Sequence, residues 1–392
     1  MAAPTADVII IGGGITGTSA AFQLSQRGYR VILLEKRALA SGGTGRTVGL
    51  VRQHYSNETT ASMALRALRV WQDFENAVGG EAGWVRTGAL FVVSPHDVEG
   101  LRENVALQTR LGIRTEFLDA QAVQALAPYL NVDDIGAGAY EPDAGYADGA
   151  MATQAYASRA RDLGASIVQG VAVTAICAEA GRVTGVETTQ GRYSAPVVVN
   201  AAGPWAAPLT LKLGYETPVE PSRHQVAVFR RPETLPAEHP FIGDFIQGFY
   251  LRSETGHLTL SGSLQVEEAE HKADPDNYPE TVDLDFSIEM AEQTEHRVPA
   301  MAEAELRKGW AGLYDVTPDW HPIISRMPGL EGFVCAYGFS GSGFKMAPVV
   351  GEMIADLATG ERRCPIDPHP FRVERFAEGD LVRGRYAYSI MG

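Results

Sequence analysis

The 392-residue chain has little cysteine, and this shortage narrows what the protein can be. Its three cysteines, Cys177, Cys335 and Cys364, are far apart and include no Cys-x-x-Cys pair. An odd, scattered set excludes a disulfide framework and supplies no zinc or iron–sulfur motif. We therefore expect no metal centre and a reducing, cytoplasmic location.

Long apolar runs and positive charge are also scarce. No run reaches the roughly 20 apolar residues that a membrane-spanning helix requires, and the N-terminus lacks the basic region of a signal peptide. The formal net charge is −15, whereas nucleic acids and anionic membranes are bound through basic surfaces. We expect neither a membrane span nor a nucleic-acid partner.

Glycine, by contrast, is abundant, with 42 residues, and the first patterned glycines follow an apolar strand at Val8–Ile11. Gly12, Gly14 and Gly17 have the G-x-G-x-x-G spacing. The first allows a sharp turn, the second lets a pyrophosphate approach the backbone, and the third lets a helix pack against the strand. N–H groups at the start of that helix would hold phosphate, so the candidate site also contains Ile15 and Thr16.

The next segment predicts an amphipathic helix over 18–27 and a second apolar strand over 29–34. Glu35 ends this strand, 18 residues after Gly17. A carboxylate at that place can accept hydrogen bonds from both hydroxyls of an adenosine ribose. An acid there argues against a ribose 2′-phosphate and so against NADP. The pattern predicts a dinucleotide site, in which we include the adjacent Lys36.

A second glycine loop, residues 41–47, follows directly after the acid. Its backbone N–H groups and hydroxyls could form a further phosphate cradle, and a flexible loop is the alternative. The candidate residues are Gly43, Thr44, Gly45, Arg46, Thr47, Gly49 and Leu50. A cation, a titratable ring and a phenol then stand close together, and we treat them as candidates for catalysis: Arg52, His54 and Tyr55.

The remaining periodicity predicts helices over 57–78, 98–111, 119–126, 149–163 and 284–298. Strands are predicted at 84–93, 166–173 and 197–200, with a hairpin over 181–194. Alternating apolar residues from 219 to 265 indicate an antiparallel sheet. We interpret the turn-rich segment 140–146 as a crossover between domains and the charged segment 267–280 as an exposed loop.

Two more small-residue loops follow predicted strands. Residues 200–205 come after an apolar run, and small side chains there again let a cofactor approach the backbone. Residues 337–345 follow a strand at 332–336 and open a helix over 346–357. The cofactor-binding candidates in this part of the chain are Val173, Ala201, Ala202, Gly203, Trp205, Gly312, Gly338, Ser340, Gly341, Ser342, Gly343, Phe344 and Lys345.

Together these motifs resemble the D-amino-acid oxidase-like family of FAD-dependent amine oxidoreductases, which includes monomeric sarcosine oxidase, the sarcosine oxidase β subunit and glycine oxidase. The matching features run through nearly the whole chain: the first glycine loop with Glu35, and the segments 41–46, 200–205, 317–319 and 338–345. The resemblance implies an α/β fold with a discontinuous, Rossmann-like FAD-binding domain formed by residues 1–80, 146–218 and 308–392. An α+β substrate-binding domain on a large antiparallel sheet would comprise 81–145 and 219–307, with the flavin at the interface.

The resemblance also implies roles. Sarcosine oxidase-like enzymes hold the substrate carboxylate with an arginine and a lysine, which match Arg52 and Lys345. Two cations from distant segments suit a carboxylate, and a lysine at a helix start opposes the helix dipole, a cost that points to function. The turn 341–344 would aim N–H groups at the flavin pyrimidine oxygen. Further pocket candidates are Arg252, His224, Gln225 and Tyr250, of which we also treat Tyr250 as a candidate for catalysis.

The chain departs from the family at two places that bear on cofactor attachment. Gly312 stands where monomeric sarcosine oxidases carry the cysteine that binds the flavin, and Arg46 where dimethylglycine dehydrogenase-like relatives carry a histidine. We therefore expect non-covalent FAD. Sarcosine oxidases also use a lysine for oxygen reduction, but the matching segment 258–264 has none, so both an oxidase and a dehydrogenase stay open.

The resulting prediction is an enzyme that oxidises a small secondary or primary amino acid, such as a sarcosine-like N-methyl amino acid or glycine, by hydride transfer to FAD and imine hydrolysis. Its partners would be the amine and either oxygen or an electron carrier, in an oligomeric state that we leave open. The alternatives are a 2-hydroxy-acid or D-amino-acid dehydrogenase and a FAD-binding subunit of a heteromeric oxidoreductase.

Overall fold

The computed structural model describes residues 4–384. Within them the strands are β1 (Val8–Ile11), β2 (Val31–Glu35), β3 (Leu50–Val51), β4 (Ala89–Val93), β5 (Glu116–Asp119), β6 (Ala137–Glu141), β7 (Gly145–Tyr146), β8 (Ser166–Gln169), β9 (Val173–Glu179), β10 (Arg182–Thr188), β11 (Gly191–Ser194), β12 (Val197–Asn200), β13 (Glu220–Arg230), β14 (Phe241–Asp244), β15 (Phe249–Glu254), β16 (Leu258–Ser263), β17 (Glu305–Val316), β18 (Ile323–Arg326) and β19 (Phe333–Tyr337).

The α-helices in the same residues are α1 (Ile15–Gln26), α2 (Glu58–Gln72), α3 (Phe74–Ala77), α4 (Val98–Arg110), α5 (Ala120–Leu126), α6 (Gly149–Asp162), α7 (Ala206–Leu211), α8 (Leu284–Arg297), α9 (Gly343–Thr359) and α10 (Arg375–Glu378). Short 3-10 helices lie at Gly43–Arg46, Gly203–Trp205, Val266–Glu270, Pro299–Glu303 and His369–Phe371. None of the helices between residues 4 and 384 combines the length and the apolar character needed to cross a bilayer.

A six-stranded sheet, in the order β18-β19-β12-β1-β2-β8, carries the first glycine loop. From β19 to β8 its neighbours run parallel, and β18 pairs antiparallel at the edge. All four residues of β1 are buried, as a parallel sheet covered on both faces requires. Helix α1 packs against α6 and α9 on one face, and the small sheet β11-β10-β9 covers the other. The predicted Rossmann-like α/β unit is confirmed.

The second large sheet has eight strands in the order β17-β13-β16-β15-β14-β4-β6-β5. Most neighbours are antiparallel, as predicted from the alternation in 219–265, while β4 and β14 run parallel. Helix α8 covers one face with Phe286 and Met290. The predicted domain boundary at residue 308 falls inside β17, which pairs with β13 from Glu305 to Val316. Strand pairing therefore places 308–316 with this sheet, and the division into two domains stays a prediction.

Three predicted elements differ from the structure. The single helix over 57–78 is broken between α2 and α3, because Asp73 leaves the helical conformation (φ −126°, ψ 39°) and aspartate has low helix propensity. The crossover at 140–146 contains the end of β6 and all of β7, so that the turn is confined to 142–144. The strand over 166–173 is divided into β8 and β9 by Gly170, whose positive φ of 75° ends the first strand.

A buried ion pair fastens the C-terminal part of the described chain to a segment beside the last glycine loop. Arg375 donates to both carboxylate oxygens of Asp319, at 2.8 and 2.9 Å, and to the carbonyl of His321 at 2.7 Å. The Asp319 side chain is 1% exposed and that of Arg375 is fully buried. Burial alone would raise the pKa of Asp319, but the hydrogen bonds and charge of Arg375 outweigh it and lower that pKa. The hydroxyl of Thr317 lies 3.3 Å from that of Ser340, which links this segment to the loop.

We expect Arg375→Met to lower the free energy of unfolding by about 3–5 kcal/mol, because Asp319 is left buried without its cation. Urea denaturation at pH 7 measures this change. The matched control is Arg363→Met, which removes a surface pair with Glu361 and should cost less than about 1 kcal/mol. Since the Asp319 pKa is lowered in the folded state, the contribution of the pair is present above the ordinary aspartate pKa and is lost as the pH falls. Equal losses in the two variants would contradict the prediction.

Candidate active site

A cavity of about 600 Å³ lies at the edge of the six-stranded sheet where β1, β2, β12 and β19 end. Every loop that the sequence singled out for its glycines contributes to its wall. The lining comprises, among others, residues 11–16, 34–37, 41–44, 46–48, 171–173, 201–205, 312–315, 341, 343 and 344. Ligands of α/β proteins bind at this carboxyl edge of the sheet.

The first glycine loop is shaped by close backbone contacts. Gly12 has a φ of +108°, and a Cβ there would collide with the backbone of Ala201. A Cβ at Gly17 would collide with the carbonyl oxygen of Gly12, so α1 packs directly on the loop. Glu35 accepts a hydrogen bond from the N–H of Gly13 at 2.7 Å and another from Arg37 at 2.8 Å. The carboxylate is therefore fixed beside the N-terminus of α1.

The second glycine loop meets the first at this helix N-terminus. Its 3-10 helix, Gly43–Arg46, brings the hydroxyl of Thr44 to 3.2 Å from the N–H of Ile15. Arg46 donates to the carbonyl of Ser41 at 2.8 Å and forms an ion pair with Glu280 at 2.6 Å. The two predicted phosphate-binding loops thus lie against each other, with helix N–H groups and hydroxyls on the same wall.

Lys36, Trp205 and Asp276 contact one another at one side of the cavity. The Lys36 ammonium lies 3.9 Å from the ring centroid of Trp205, and Asp276 binds both, at 2.6 Å and 2.9 Å. The segment 267–280, predicted to be an exposed loop, therefore forms part of the wall through Asp274, Pro275 and Asp276. The segment is exposed over most of its length, as predicted, and its contact with Lys36 and Trp205 additionally makes it part of the cavity wall.

The last glycine loop closes the opposite end of the cavity. Gly341 has a φ of +87°, and a Cβ there would lie 2.6 Å from the ring of Tyr314. The buried carboxylate of Asp315 accepts the N–H of Gly338, and its backbone oxygen accepts that of Ser340 at 3.0 Å. Burial raises the pKa of Asp315 to about 6. Asp315 and Tyr314 together fix the loop from which α9 begins.

A smaller chamber of about 60 Å³ adjoins the large cavity and shares part of its wall with it. The residues that line both are Thr47, Val48, Tyr250, Ser263, Tyr314, Gly341 and Phe344. The chamber adds two cations, Arg52 and Lys345, and three phenylalanines, Phe91, Phe241 and Phe245. It is therefore an aromatic-walled space that contains two basic side chains and opens towards the cofactor-type cavity.

Lys345 is 6% exposed and stands in the first turn of α9. Its Nζ donates to the carbonyl of Gly341 at 3.2 Å, and its backbone carbonyl accepts the indole N–H of Trp71 at 2.9 Å. Burial, together with the charge of Arg52, lowers the pKa of Lys345 well below its ordinary value. An anion in the chamber would restore the charged form of this amine.

Arg52 is positioned by the residues that follow it. Its guanidinium donates to the carbonyl of His54 and lies 4.5 Å from the ring centroid of Tyr55. The His54 ring is fully buried, stacks on Phe91 at 4.3 Å, and lies 3.7 Å from the buried carboxylate of Glu141. Burial lowers the pKa of His54, although Glu141 opposes this.

Most predicted site residues line one of the two spaces: Gly12, Gly14, Ile15, Thr16, Glu35, Lys36, Gly43, Thr44, Arg46, Thr47, Leu50, Arg52, Val173, Ala201, Ala202, Gly203, Trp205, Tyr250, Gly312, Ser340, Gly341, Gly343, Phe344 and Lys345. His224 and Gln225 also line the large cavity.

Eight predicted residues do not line either space: Gly17, Gly45, Gly49, Gly338, Ser342, His54, Tyr55 and Arg252. The four glycines let backbone segments pack behind the wall, since a Cβ at each would collide with a neighbour. Ser342 hydrogen-bonds the carbonyl of Phe339 at 2.7 Å. His54 and Tyr55 contact Arg52 and line neither space, and their catalytic role stays a prediction.

The sequence did not predict that Phe91, Phe241 and Phe245 line the chamber. It also did not predict that Asp315 supports the last glycine loop. Phe91 lies in β4 and Phe241 in β14, which are neighbouring strands from distant parts of the chain. No local spacing marks such residues, because only strand pairing brings them together. Asp315 follows Tyr314 in β17. The alternation of side chains along a strand does not distinguish it from any other polar strand residue.

The sheet edge, the two glycine loops and Glu35 define a dinucleotide-binding protein. The chain matches the family model described as "DAO: FAD dependent oxidoreductase" over residues 7–357, so it belongs to that family. It is 29% identical over 392 residues to mitochondrial sarcosine dehydrogenase of Homo sapiens, with coverage of 95% of this chain and 41% of that protein. The chain thus spans about two fifths of the length of the sarcosine dehydrogenases that it matches.

Two further similarities extend over nearly whole chains. Sarcosine oxidase subunit beta of Arthrobacter sp is 26% identical over 388 residues, with coverage of 96% of this chain and 92% of that one. The crystal structure of L-proline dehydrogenase from P. horikoshii has a TM-score of 0.87 and 30% identity, with coverage of 97% and 100%. Both similarities cover most of this chain, as the match to the family of FAD dependent oxidoreductases does.

The residues present fit FAD. Glu35 lies at the end of β2 where a ribose acid is expected, and the loops at Gly12–Gly14 and Gly43–Thr44 offer N–H groups for phosphates. The large cavity then continues past Trp205 to the loop at Gly341 and the chamber with the two cations. The cofactor prediction is confirmed at the level of FAD, and non-covalent binding stays a prediction.

We expect the flavin to be released intact by acid, because neither family attachment point carries a nucleophile. Gly312 and Arg46 occupy these points and face each other: a Cβ at Gly312 would lie 3.0 Å from that of Arg46. Within residues 4–384, no cysteine lines the cavity. Precipitation with trichloroacetic acid should leave a colourless pellet and FAD in the supernatant. A yellow pellet that fluoresces after denaturing electrophoresis would contradict the prediction.

Proposed function

We propose that the protein oxidises a small amino acid with an alkylated amine, of the sarcosine type. The observation that carries the proposal is the pair Arg52 and Lys345 inside an aromatic chamber that adjoins the FAD cavity. FAD, when bound, supplies the two-electron acceptor for the oxidation of the amine, whose imine product is then hydrolysed. The protein's own residues bind, orient and shield the substrate.

The carboxylate of the substrate would bind between the two cations. Arg52 offers a planar fork of donors, and Lys345 offers a compact ammonium from the opposite segment. Both side chains are nearly buried, at 5% and 6% exposure, so a charge-assisted hydrogen bond here is stronger than one in water. A carboxylate also lowers the repulsion between the two cations, which share one small chamber.

The amine end would lie against aromatic rings. Tyr250, Tyr314 and Phe344 belong to the wall that the chamber shares with the FAD cavity. Aromatic faces attract alkylated ammonium groups and exclude water. The chamber volume of about 60 Å³ admits a molecule of roughly four to six non-hydrogen atoms, which is the size of glycine or sarcosine.

A second candidate is a FAD-binding subunit of a heteromeric oxidoreductase, favoured by the similarity to sarcosine oxidase subunit beta. In that case substrate reduction of the bound cofactor would proceed without the partner, while turnover would require it. A 2-hydroxy-acid dehydrogenase would use the same two cations, but a neutral hydroxyl gains less from the aromatic wall than an alkylammonium. A D-amino-acid dehydrogenase would place a primary ammonium against the same wall. The electron acceptor, oxygen or a carrier, belongs to the same proposal.

Anaerobic mixing with a panel of substrates tests the proposal through the visible flavin absorbance. We expect bleaching by sarcosine and a weaker response to glycolate, lactate and N-methylethylamine, which lack one of the two recognised groups. Readmission of air separates an oxidase, whose colour returns, from a dehydrogenase. Bleaching by hydroxy acids in preference to every amine would contradict the proposal.

The carboxylate clamp is tested by Arg52→Met and Lys345→Met. Each change removes a charged hydrogen bond of about 1.5–3 kcal/mol and should weaken substrate binding about 10- to 150-fold. The matched controls are Arg230→Met and Lys308→Met, two exposed cations outside both cavities, which should leave substrate binding unchanged. If both clamp variants bind the substrate like their controls, the clamp is wrong.

Substrate binding should also take up a proton, because Lys345 has a lowered pKa that an anion would raise. The affinity for a carboxylate therefore falls as the pH rises through the pKa of Lys345 in the complex. Calorimetric titration with acetate, in two buffers of different ionisation enthalpy, measures the uptake without an amine that titrates. Lys345→Met should abolish the uptake, whereas equal uptake in both proteins would contradict this assignment.

A further inference from the structure

The turn that follows Arg52 is held by a buried carboxylate from the eight-stranded sheet. Glu141 ends β6 and is fully buried, and its Oε2 accepts the N–H of Gln53 at 2.8 Å. Its Oε1 lies 3.7 Å from Nδ1 of His54. The turn is tight, because the N–H of Tyr55 donates to the carbonyl of Gln53 at 2.9 Å. Glu141 therefore contacts two consecutive residues of this turn.

The same turn fixes the guanidinium of Arg52. The guanidinium donates to the carbonyl of His54, so the side chain of Arg52 folds back over the turn. The His54 ring stacks on Phe91 with a centroid distance of 4.3 Å, and Phe91 lines the chamber. A displacement of His54 would therefore move both the carbonyl that Arg52 binds and a ring of the chamber wall. The contacts run without a break from Glu141 through His54 to Arg52.

Helix α4 supplies a second set of contacts to the turn. Gln108 donates to the carbonyl of Tyr55 at 3.2 Å, and its amide nitrogen lies 3.3 Å from Nδ1 of His54. The amide nitrogen of Asn104, one helical turn earlier, lies 3.3 Å from Nε2 of the same ring. Both amide side chains are fully buried. The His54 ring thus has polar neighbours from α4 and from β6, and such a buried network leaves the turn little freedom to shift.

Glu141 has no arginine or lysine within ion-pair distance among residues 4–384, where His54 is its one basic neighbour. Burial lowers the pKa of the His54 imidazole, so this ring does not balance the carboxylate at neutral pH. A buried carboxylate without a paired cation is costly, and costly groups of this kind are concentrated at functional sites. The charges of Glu141 and Arg52 both act on the pKa values of His54 and Tyr55. The two charges therefore belong to one buried cluster.

We propose that Glu141 is a positioning residue for carboxylate recognition, which acts on the substrate through Arg52. This inference rests on the proposed function, in which Arg52 binds the substrate carboxylate. A planar guanidinium forms charge-assisted hydrogen bonds of good geometry only when its plane is fixed. The N–H of Gln53 and the ring of His54 carry this restraint from Glu141 to the turn. Loss of the acceptor oxygen should therefore loosen Arg52 without changing its charge.

The matched pair Glu141→Gln and Glu141→Met tests the proposal in the FAD-loaded protein. Both new side chains are neutral and similar in size, but only glutamine keeps an oxygen for the N–H of Gln53, so the comparison excludes an effect of charge. Titration with acetate, followed by the change in visible flavin absorbance, measures carboxylate binding without turnover. We expect the dissociation constant of acetate to be about 10-fold higher for Glu141→Met than for Glu141→Gln.

The same pair in an Arg52→Met background shows whether the effect passes through Arg52. There we expect equal dissociation constants, because the effects of two residues that act on one contact do not add. An undiminished ratio in that background would give Glu141 a general structural role and overturn the proposal, as would equal constants in the presence of Arg52. The control pair Glu352→Gln and Glu352→Met, at a little-exposed glutamate paired with Arg66, should leave acetate binding unchanged.

Gln108→Met gives a second measurement, which does not depend on whether Glu141→Met folds. It removes the donor to the carbonyl of Tyr55 and should weaken acetate binding in the wild-type protein but not in the Arg52→Met background. Equal acetate affinity of Gln108→Met and the wild-type protein would show that restraint of the turn does not govern Arg52, and would overturn the proposal. If Arg52→Met itself binds acetate like the wild-type protein, the carboxylate clamp of the proposed function fails. If Arg52→Met weakens binding and the Glu141 pair does not differ, only the present inference fails.

Discussion

The candidate active site depends on burying two basic side chains side by side. Arg52 and Lys345 share a chamber whose wall includes six aromatic side chains, and burial together with the charge of Arg52 lowers the pKa of Lys345. Local contacts offset part of the cost of burying these groups. Arg52 donates to the carbonyl of His54 and lies over the ring of Tyr55, and Lys345 donates to the carbonyl of Gly341. Under the proposed function, a substrate carboxylate between the two side chains would offset this cost.

The rest of the fold serves to bring these two cations together. Arg52 directly follows β3, which is fixed by its pairing with β7, and Lys345 stands in the first turn of α9, which packs on α1 and α2. The two residues are 293 positions apart in a chain of 392 residues, so no local interaction can set their distance. The indole N–H of Trp71 in α2 donates a hydrogen bond to the backbone carbonyl of Lys345. This contact connects the segment that follows Arg52 with the helix that carries Lys345.

The parts of this structure that the sequence could predict are those with a local physical signature. The first glycine loop and Glu35 were predictable because a phosphate at a helix N-terminus requires glycines at fixed spacing. The phenylalanines of β4 and β14 were not, because their proximity arises from strand pairing across 150 residues of chain. The break at Asp73 and the contribution of the exposed acidic segment around Asp276 to the cavity wall were missed for a related reason. Apolar periodicity continues across Asp73. Asp276 is held by Lys36 and Trp205, which are far away in the sequence.

One loop is responsible for both the cofactor and the substrate side of the site. Residues 338–344 line the large cavity through Gly341 and Phe344, and the same two residues line the chamber that holds Lys345. Because Tyr314 leaves no space for a Cβ at Gly341, the loop cannot move towards the sheet without displacing a ring that belongs to both spaces. Under the proposed function, the position of the flavin end of the cofactor and the position of the substrate carboxylate would therefore be coupled through one turn. The turn is supported from behind by Asp315 and, through Thr317, by the buried pair of Asp319 and Arg375.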